Sequence, residues 1–145
     1  MRTRQLSHCV YELQYHLVWG IKYRRKILKD YVKTELIKSI HKLQNTYPTW
    51  YIHKINTDKD HIHILMEFPP KYSISEVVQK IKVTTSRDLR NKFKFIDRIF
   101  SDKEGIWGIG YYVSTVGLNE EKIKQYIAHQ GKQDVGEDAS NLFSC

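Results

Sequence analysis

The sequence predicts an α+β fold in which an antiparallel sheet carries two long helices on one face and a short C-terminal helix over the other. Three stretches of the chain alternate apolar and polar residues with period two, and a fourth is rich in Tyr, Val, Ile and Thr, so four strands are expected. Two other segments repeat apolar residues every three or four positions, which is typical of amphipathic helices. The order β-α-β-β-α-β, followed by one short helix, matches the ferredoxin-like or RRM-like plan.

The first strand and the first helix are predicted from the N-terminal third of the chain. Residues 9–19 are expected to form one long strand, because the odd positions from 11 onward are all apolar or aromatic. Asp30 can open the helix, which should end near Tyr47 because Pro48 disfavours helical geometry in the residue before it. The core-facing stripe of this helix consists of Val32, Leu36, Ile40 and Leu43.

A hairpin follows, made of a strand over residues 50–56, the turn formers of residues 57–60 and a second strand that ends before Pro69. The even positions of the second strand are apolar, so His61 and His63 should lie side by side on the face away from the core. Their Cβ atoms are expected about 6 to 7 Å apart, at which two ring nitrogens can bind one metal ion or one phosphate. The alternative is a histidine pair on a solvated strand face.

The second long helix should begin at a capping box formed by Ser73 and Glu76. Residues 107–116 are predicted to form the last strand. Asn119 can cap a short helix that runs to residue 130 and ends before a glycine. The stripe that turns the second long helix toward the core consists of Ile74, Val77, Val78, Ile81, Thr85 and Leu89.

Length and composition predict one domain over residues 1–133 and a polar, mobile tail over residues 134–145. With 41% hydrophobic and 28% charged residues, the composition is that of an ordinary globular protein. No apolar run reaches the length of a membrane span and no signal-peptide core follows the N-terminus, so we expect a cytoplasmic protein without a membrane partner. Cys9 and Cys145 offer no framework of disulfides or metal ligands.

The net charge of +8 occurs together with 10 Tyr, 5 Phe and 3 Trp, a combination that suits single-stranded nucleic acid. Cations track the phosphates of such a ligand, and aromatic rings stack on its bases. Two basic groups can do this, one after the first strand and one on the second long helix, although each can also be a solvated surface. The candidate DNA-binding residues are Lys22, Tyr23, Arg24, Arg25, Lys80, Lys82 and Arg87.

The short C-terminal helix supplies a candidate nucleophile and a candidate third metal ligand. Tyr126 and Gln130 are four residues apart and share one stripe of the helix, with His129 one residue's rotation away. A metal ion held by His61, His63 and the Gln130 amide has only neutral ligands, and it keeps its full charge for a substrate phosphate. Tyr126 could then attack the phosphorus. Phosphate chemistry with an oxygen ligand favours Mg²⁺ or Mn²⁺.

These motifs resemble those of the single-tyrosine transposases of the IS200/IS605 insertion-sequence family. This family belongs to the HUH endonucleases, which are named for two histidines around a bulky hydrophobic residue. The matching blocks come in the family's order and reach from residue 9 to residue 133. They are Tyr15-His16-Leu17-Val18-Trp19, Lys22-Tyr23-Arg24, Asp60-His61-Ile62-His63-Ile64-Leu65, Trp107-Gly108-Ile109-Gly110-Tyr111-Tyr112, Thr115-Val116-Gly117 and Tyr126-Ile127-Ala128-His129-Gln130.

The resemblance implies the HUH endonuclease fold and a prokaryotic DNA transposase that recognises single-stranded hairpins at the ends of an insertion sequence. It implies that Tyr126 keeps the 5′ phosphate and that the freed 3′-OH attacks the phosphotyrosine of the other end, without ATP or another nucleotide cofactor. It implies that His61, His63 and Gln130 are the metal ligands, with His129 as the alternative to Gln130. It also implies a homodimer, in which Tyr126 of one subunit can complete the histidine site of the other.

Three other functions fit parts of the sequence. The nearest is a domesticated relative, or a replication or conjugation nickase of the same chemistry, but the chain is small and has no helicase or second tyrosine motif. A binding module that stacks bases on an RRM-like sheet is disfavoured by His61 and His63 on that face. An RNA phosphodiesterase with two His-x-Ser/Thr motifs lacks the second motif.

Overall fold

The computed structural model describes residues 4–6, 9–11, 13–101, 105–115 and 124–128 of the chain. A 3-10 turn follows the third strand at Lys22–Arg24, and residues 124–128 are helical. The strands are β1 (Arg4–Leu6), β2 (Cys9–Tyr11), β3 (Tyr15–Gly20), β4 (Tyr51–Thr57), β5 (His61–Glu67) and β6 (Tyr112–Ser114), and the helices are α1 (Asp30–Thr46), α2 (Ile74–Lys92) and α3 (Lys94–Ile99).

The main sheet has the strand order β4-β5-β3-β6 with antiparallel pairing throughout. In this order the first strand of the predicted plan lies between the third and the fourth, which is the ferredoxin-like arrangement. The predicted α+β fold is therefore confirmed. Neighbouring strands place the even residues of β5 and the odd residues of β3 on one face, where they are buried together.

α1 and α2 pack on that buried face. All four predicted core positions of α1 are buried, and so are those of α2 apart from Ile74, which is partly buried. Ser73 caps α2 as predicted, because its Oγ accepts a hydrogen bond from the Glu76 N–H at 3.1 Å. Asp30 is the first residue of α1 rather than its cap, and Lys29 holds the cap position without a side-chain bond. The carboxylate still lies in the first turn, where it favours the helix dipole.

The prediction of one strand over residues 9–19 is wrong. The chain breaks between β2 and β3, and β2 pairs with β1 in a separate two-stranded sheet. Period-two alternation is equally compatible with one long strand and with two consecutive strands in different sheets, so the pattern could not reveal the break. The β1–β2 hairpin and α3 were not predicted.

The last strand is also shorter than predicted, since β6 covers three residues. Residues 105–110, which we call the glycine loop, instead contact the end of β3 and the residue that follows it. Ile21, just after β3, forms a bridge with Trp107, and the Gly108 N–H donates a hydrogen bond to the Gly20 carbonyl. Gly110 has a φ of 83°, a left-handed conformation that interrupts an extended strand. Within the described ranges, no helix is long and apolar enough to cross a membrane.

Candidate active site

The candidate site lies on the sheet face opposite α1 and α2. Val18 of β3 is paired with His63 of β5 on one side and with Tyr112 of β6 on the other. The partner of His63 on the outer strand β4 is Asn56. Because cross-strand partners project to the same face, these four side chains form one row across the sheet.

His61 and His63 lie together on this face, as predicted, with their ring centroids 5.2 Å apart. The Nδ1 atom of His61 is 2.8 Å from Oδ1 of Asp60. A carboxylate can only accept, so Nδ1 carries the proton and the Nε2 lone pair of a neutral ring is left for a metal ion. A carboxylate behind a histidine is the usual means by which proteins orient a metal-binding imidazole.

Asp60 is itself fixed from two sides. The guanidinium of Arg24 reaches its second oxygen through Nε and Nη2, both at 3.3 Å. The Asp60 carbonyl accepts a hydrogen bond from the Ile21 N–H at 2.7 Å, which ties the start of β5 to the end of β3. Arg24, Asp60 and His61 therefore form a chain of contacts that runs from the basic loop after β3 to the histidine pair.

His63 is partly buried on this face. Burial lowers the pKa of His63, the neighbouring His61 and His16 lower it further, and Asp58 acts in the opposite direction. A lowered pKa keeps the imidazole neutral at pH 7, which is the form that binds metal. Beside His63 lies a cleft of about 170 Å³ that is also lined by His16, Lys54 and Asn56. Burial lowers the pKa of His16 as well.

Tyr126 lies on the same face as the histidine pair. Its side chain is only 4% exposed and packs with Val18, Tyr112 and Ile127 in a small apolar cluster that is separate from the main core. A Cβ atom built on Gly110 would lie 3.8 Å from the Tyr126 hydroxyl oxygen, so the phenol faces the glycine loop. The prediction that the C-terminal helix covers the histidine face is confirmed at these positions.

The basic loop after β3 is exposed. Tyr23 is 43% exposed, and cations of Lys22 and Arg25 each lie 5.6 Å from its ring centroid. Tyr23 and Arg24 have positive φ angles of 58° and 52°, which bend the loop sharply after β3. This geometry puts a ring and three cations at the edge of the histidine face, where Arg24 is held by Asp60.

The predicted DNA-binding cations of α2 all have contacts within the protein. Lys80 lies 5.6 Å from the Tyr47 ring centroid, and Arg87 reaches Asp88 at 3.4 Å. Lys82 donates two hydrogen bonds to carbonyls of the glycine loop. Each of these three residues therefore has a contact within the protein, and their role in DNA binding stays a prediction.

Gln130 and His129 lie outside the described residues, as does the predicted tail over residues 134–145. Among the side chains that are described, no group of three or more His, Cys, Asp and Glu residues could hold a metal ion. The described part of the chain thus contains the two histidines that are predicted to bind a metal ion, and not a complete metal site. The third ligand from the C-terminal helix stays a prediction.

Comparison with known proteins identifies the family of the chain. Residues 9–130 match the family described as "Transposase IS200 like". The chain is 35% identical over 138 residues to the "Transposase for insertion sequence element IS200" of Salmonella typhimurium, which covers 94% of this chain and 90% of that relative. The chain belongs to the IS200-like transposase family.

Two further similarities extend over most of the transposase. It is 28% identical over 127 residues to the ISDra2 transposase TnpA of Deinococcus radiodurans, which covers 83% of this chain and 86% of that protein. It also resembles the crystal structure of a putative transposase from Deinococcus radiodurans, with a TM-score of 0.78, 26% identity and coverage of 88% of this chain and 97% of that one. The predicted IS200/IS605 membership is confirmed, and so is the HUH fold.

Four residues that lie beside the candidate histidine pair were not named as site residues from the sequence: Asp60, His16, Asn56 and Lys54. Asp60 was assigned to the turn and to the block of the histidine motif but given no role, although its position next to the first histidine could have suggested an orienting carboxylate. His16 occupies a polar position of the first strand, and strand alternation alone could have placed it on the histidine face. Asn56 and Lys54 depend on the register of β4 against β5, which the sequence does not give.

Proposed function

We propose that this IS200-like transposase nicks and rejoins single-stranded DNA at hairpin ends, with Tyr126 as the nucleophile. One observation carries the proposal. Tyr126 packs on Val18 and Tyr112, which belong to the same cross-strand row as His63. A phosphate held at the histidine pair therefore lies on the same sheet face as the phenol. The histidines are on β5, and Val18, which contacts Tyr126, is on the adjacent strand β3.

The chemistry follows from a phenol and a phosphodiester. The Tyr126 oxygen forms a bond to phosphorus while the bond between phosphorus and the 3′ oxygen breaks; the phenol proton leaves, and the 3′ oxygen takes up a proton. The products are a 5′-phosphotyrosine and a free 3′-OH. Attack of another 3′-OH on the phosphotyrosine reverses these changes, so strands are exchanged without a nucleotide cofactor.

The residues present fit a divalent ion, Mg²⁺ or Mn²⁺, held by His61, His63 and the predicted ligand Gln130. Asp60 leaves Nε2 of His61 as the coordinating atom, and burial keeps His63 neutral. When bound, such an ion supplies a Lewis acid at the phosphate. The side chains orient the ligands, and the apolar cluster around Tyr126 keeps water from the phenol.

For the DNA partner we propose that the loop of Lys22, Tyr23, Arg24 and Arg25 binds phosphates and bases beside the active site. Its cations and exposed ring suit a single strand, and its contact with Asp60 links bound DNA to His61. We further propose that the active protein is a homodimer. One chain offers one nucleophile, whereas excision must hold two 5′ phosphates at the same time.

The test uses the protein, Mg²⁺ and an end-labelled single strand taken from the DNA that flanks its own gene. Wild-type protein should yield a nicked strand on a denaturing gel and a covalent protein–DNA adduct. Tyr126→Phe should lose both products because the ring remains but the attacking oxygen does not. Tyr112→Phe, which alters the neighbouring phenol, serves as the matched control and should retain them.

His61→Ala should bind the hairpin normally and lose nicking. An adduct formed by Tyr126→Phe, or full nicking by His61→Ala in Mg²⁺, contradicts the assignment of these residues. Equal affinity for a blunt duplex of the same sequence contradicts the proposed single-stranded substrate.

A further inference from the structure

The glycine loop connects the two halves of the proposed site. Near its middle, the Gly108 N–H donates to the Gly20 carbonyl at 2.8 Å, and Gly20 is the cross-strand partner of His61. At its end, Gly110 faces the Tyr126 hydroxyl. A displacement of this loop therefore changes the surroundings of the phenol and of the strand that carries the histidines.

Lys82 of α2 fixes the loop at these same two glycines. Its Nζ donates to the Gly108 carbonyl at 2.9 Å and to the Gly110 carbonyl at 2.8 Å. An ammonium group has three N–H donors, so these contacts use two of them. Bonds from a charged donor are among the stronger hydrogen bonds in proteins. They hold the backbone on both sides of Ile109 in one geometry.

Two neighbours on the same face of α2 hold the beginning of the loop. Thr85 Oγ1 accepts from Nε1 of Trp107 at 2.8 Å, and Ser86 Oγ accepts from the Ile106 N–H at 3.1 Å. Both hydroxyl residues are buried. Positions 82, 85 and 86 share one face of a helix, so a single face of α2 makes hydrogen bonds to the loop from Ile106 to Gly110.

We propose that Lys82 is a positioning residue for the transposition reaction. Through the carbonyls of Gly108 and Gly110, it fixes the loop against which the Tyr126 hydroxyl lies, and thereby sets the position of the phenol relative to the histidine pair. The inference rests on the proposed nucleophilic role of Tyr126. It replaces the contact with a DNA phosphate that the basic sequence of α2 predicts for Lys82.

The test compares Lys82→Met with wild-type protein in single-turnover nicking. Methionine keeps the aliphatic stem and removes the donors, so the nicking rate should fall about tenfold or more, because a displacement of about 1 Å can cost about a hundredfold in rate. The hairpin Kd and the Mn²⁺ affinity should stay within about twofold, because a residue that acts by positioning the loop contacts neither ligand. Lys82→Arg keeps donors for both carbonyls and should recover most of the rate.

Lys38→Met is the charge-matched control, since it removes an exposed cation of α1 that pairs only with Glu35 among the described contacts, and it should nick at the wild-type rate. A wild-type rate for Lys82→Met overturns the proposal. Weaker hairpin binding by that variant, with a salt slope reduced by about one, overturns it too, because Lys82 is then a phosphate contact.

If Lys82→Met proves unfolded in a thermal melt, Lys82→Gln decides instead. Glutamine keeps a polar side chain but is shorter and carries no charge, so it cannot hold both carbonyls as lysine does. A slower nicking rate with unchanged hairpin Kd is expected, and an unchanged rate overturns the proposal. Wild-type protein in the same assay separates the two hypotheses. A missing adduct there counts against the proposed function, whereas a normal wild-type adduct with unaffected variants counts against the role of Lys82.

Discussion

At the residue scale, the Asp60 carboxylate determines which atom of His61 can meet a metal ion. One of its oxygens accepts from Nδ1 of His61, and the other accepts from Arg24. Asp60 is only 7% exposed, so solvent screens these contacts less than it screens a surface pair. The orientation of the imidazole is therefore set by the fold itself.

Asp60→Asn should weaken Mn²⁺ binding about tenfold to a hundredfold, the usual effect of losing a partner behind a metal-binding histidine. The amide keeps the shape of the side chain and removes its charge, so a neutral acceptor holds the ring less firmly. The measurement is a Mn²⁺ titration without DNA, which excludes effects on DNA binding.

Arg24→Met is the control for Asp60→Asn, since it leaves the carboxylate on His61 in place and should cost less Mn²⁺ affinity. An affinity of Asp60→Asn within about twofold of wild type would show that the carboxylate does not orient a ligand.

The contacts of the basic residues could not be predicted from the sequence. Basic residues suit a DNA surface, but two of the predicted contacts have partners far along the chain: Arg24 bonds Asp60, 36 residues later, and Lys82 bonds carbonyls 26 and 28 residues later. Such partners follow from the tertiary fold and leave no periodic pattern. Strand alternation alone assigned His61 and His63 to one face, and the structure confirms that placement. The roles of these histidines and of Tyr126 stay predictions.

At the scale of elements, the glycine loop depends on the left-handed conformation of Gly110. Gly110→Ala should lower the free energy of unfolding by about 1 to 2 kcal/mol, because an L-residue resists this backbone region. A Cβ there would meet the Tyr126 oxygen at an ordinary contact distance of 3.8 Å, so the cost lies in the backbone and not in a clash. Urea unfolding monitored by circular dichroism measures it.

Gly105→Ala is the matched control within the same loop. Its Cβ would approach Ser86 Oγ to 3.4 Å, which a small adjustment of a side chain relieves. We expect a smaller loss, below about 0.5 kcal/mol, as for a substitution without a named source of strain. Equal losses for the two alanine variants would mean that the conformation of Gly110 is not what constrains the loop.

The elements themselves were predicted unevenly, for physical reasons. The stripes of α1 and α2 and the alternation of β5 reflect burial in the main core, and burial leaves a period in the sequence. The break before β3 and the late start of β6 leave none. Before β6, hydrogen-bonding groups of the glycine loop are paired with side chains of α2, whereas a strand would pair its backbone groups with the neighbouring strand. The side chains are those of Lys82, Thr85 and Ser86.

At the scale of the whole molecule, the fold brings together residues that are far apart in the chain. The antiparallel order puts β3 between β5 and β6, so Val18 joins His63 and Tyr112 in one row. The C-terminal segment then places Tyr126 on that row from outside the sheet. The proposed nucleophile is thus held by an element that contributes no strand to the sheet.

Assembly gives the last prediction, that of a homodimer in which Tyr126 of one subunit serves His61 and His63 of the other in at least one state. Tyr126 packs on its own sheet in the described chain, and the sequence between β6 and the helical segment contains Gly117, whose backbone freedom permits either placement. Two inactive variants, Tyr126→Phe and His61→Ala, are mixed and allowed to exchange subunits, and nicking is measured on a denaturing gel.

With sites formed in trans, each mixed dimer has one site with both defects and one intact site, so about a quarter of all sites should be active in an equal mixture. With sites formed within one chain, every site keeps one defect and nicking stays absent. Exchange is verified by pulling down one tagged variant with the other, and wild-type protein diluted fourfold into His61→Ala serves as the activity standard. Inactivity after verified exchange rules out the trans arrangement under these conditions and leaves each tyrosine serving the histidines of its own chain.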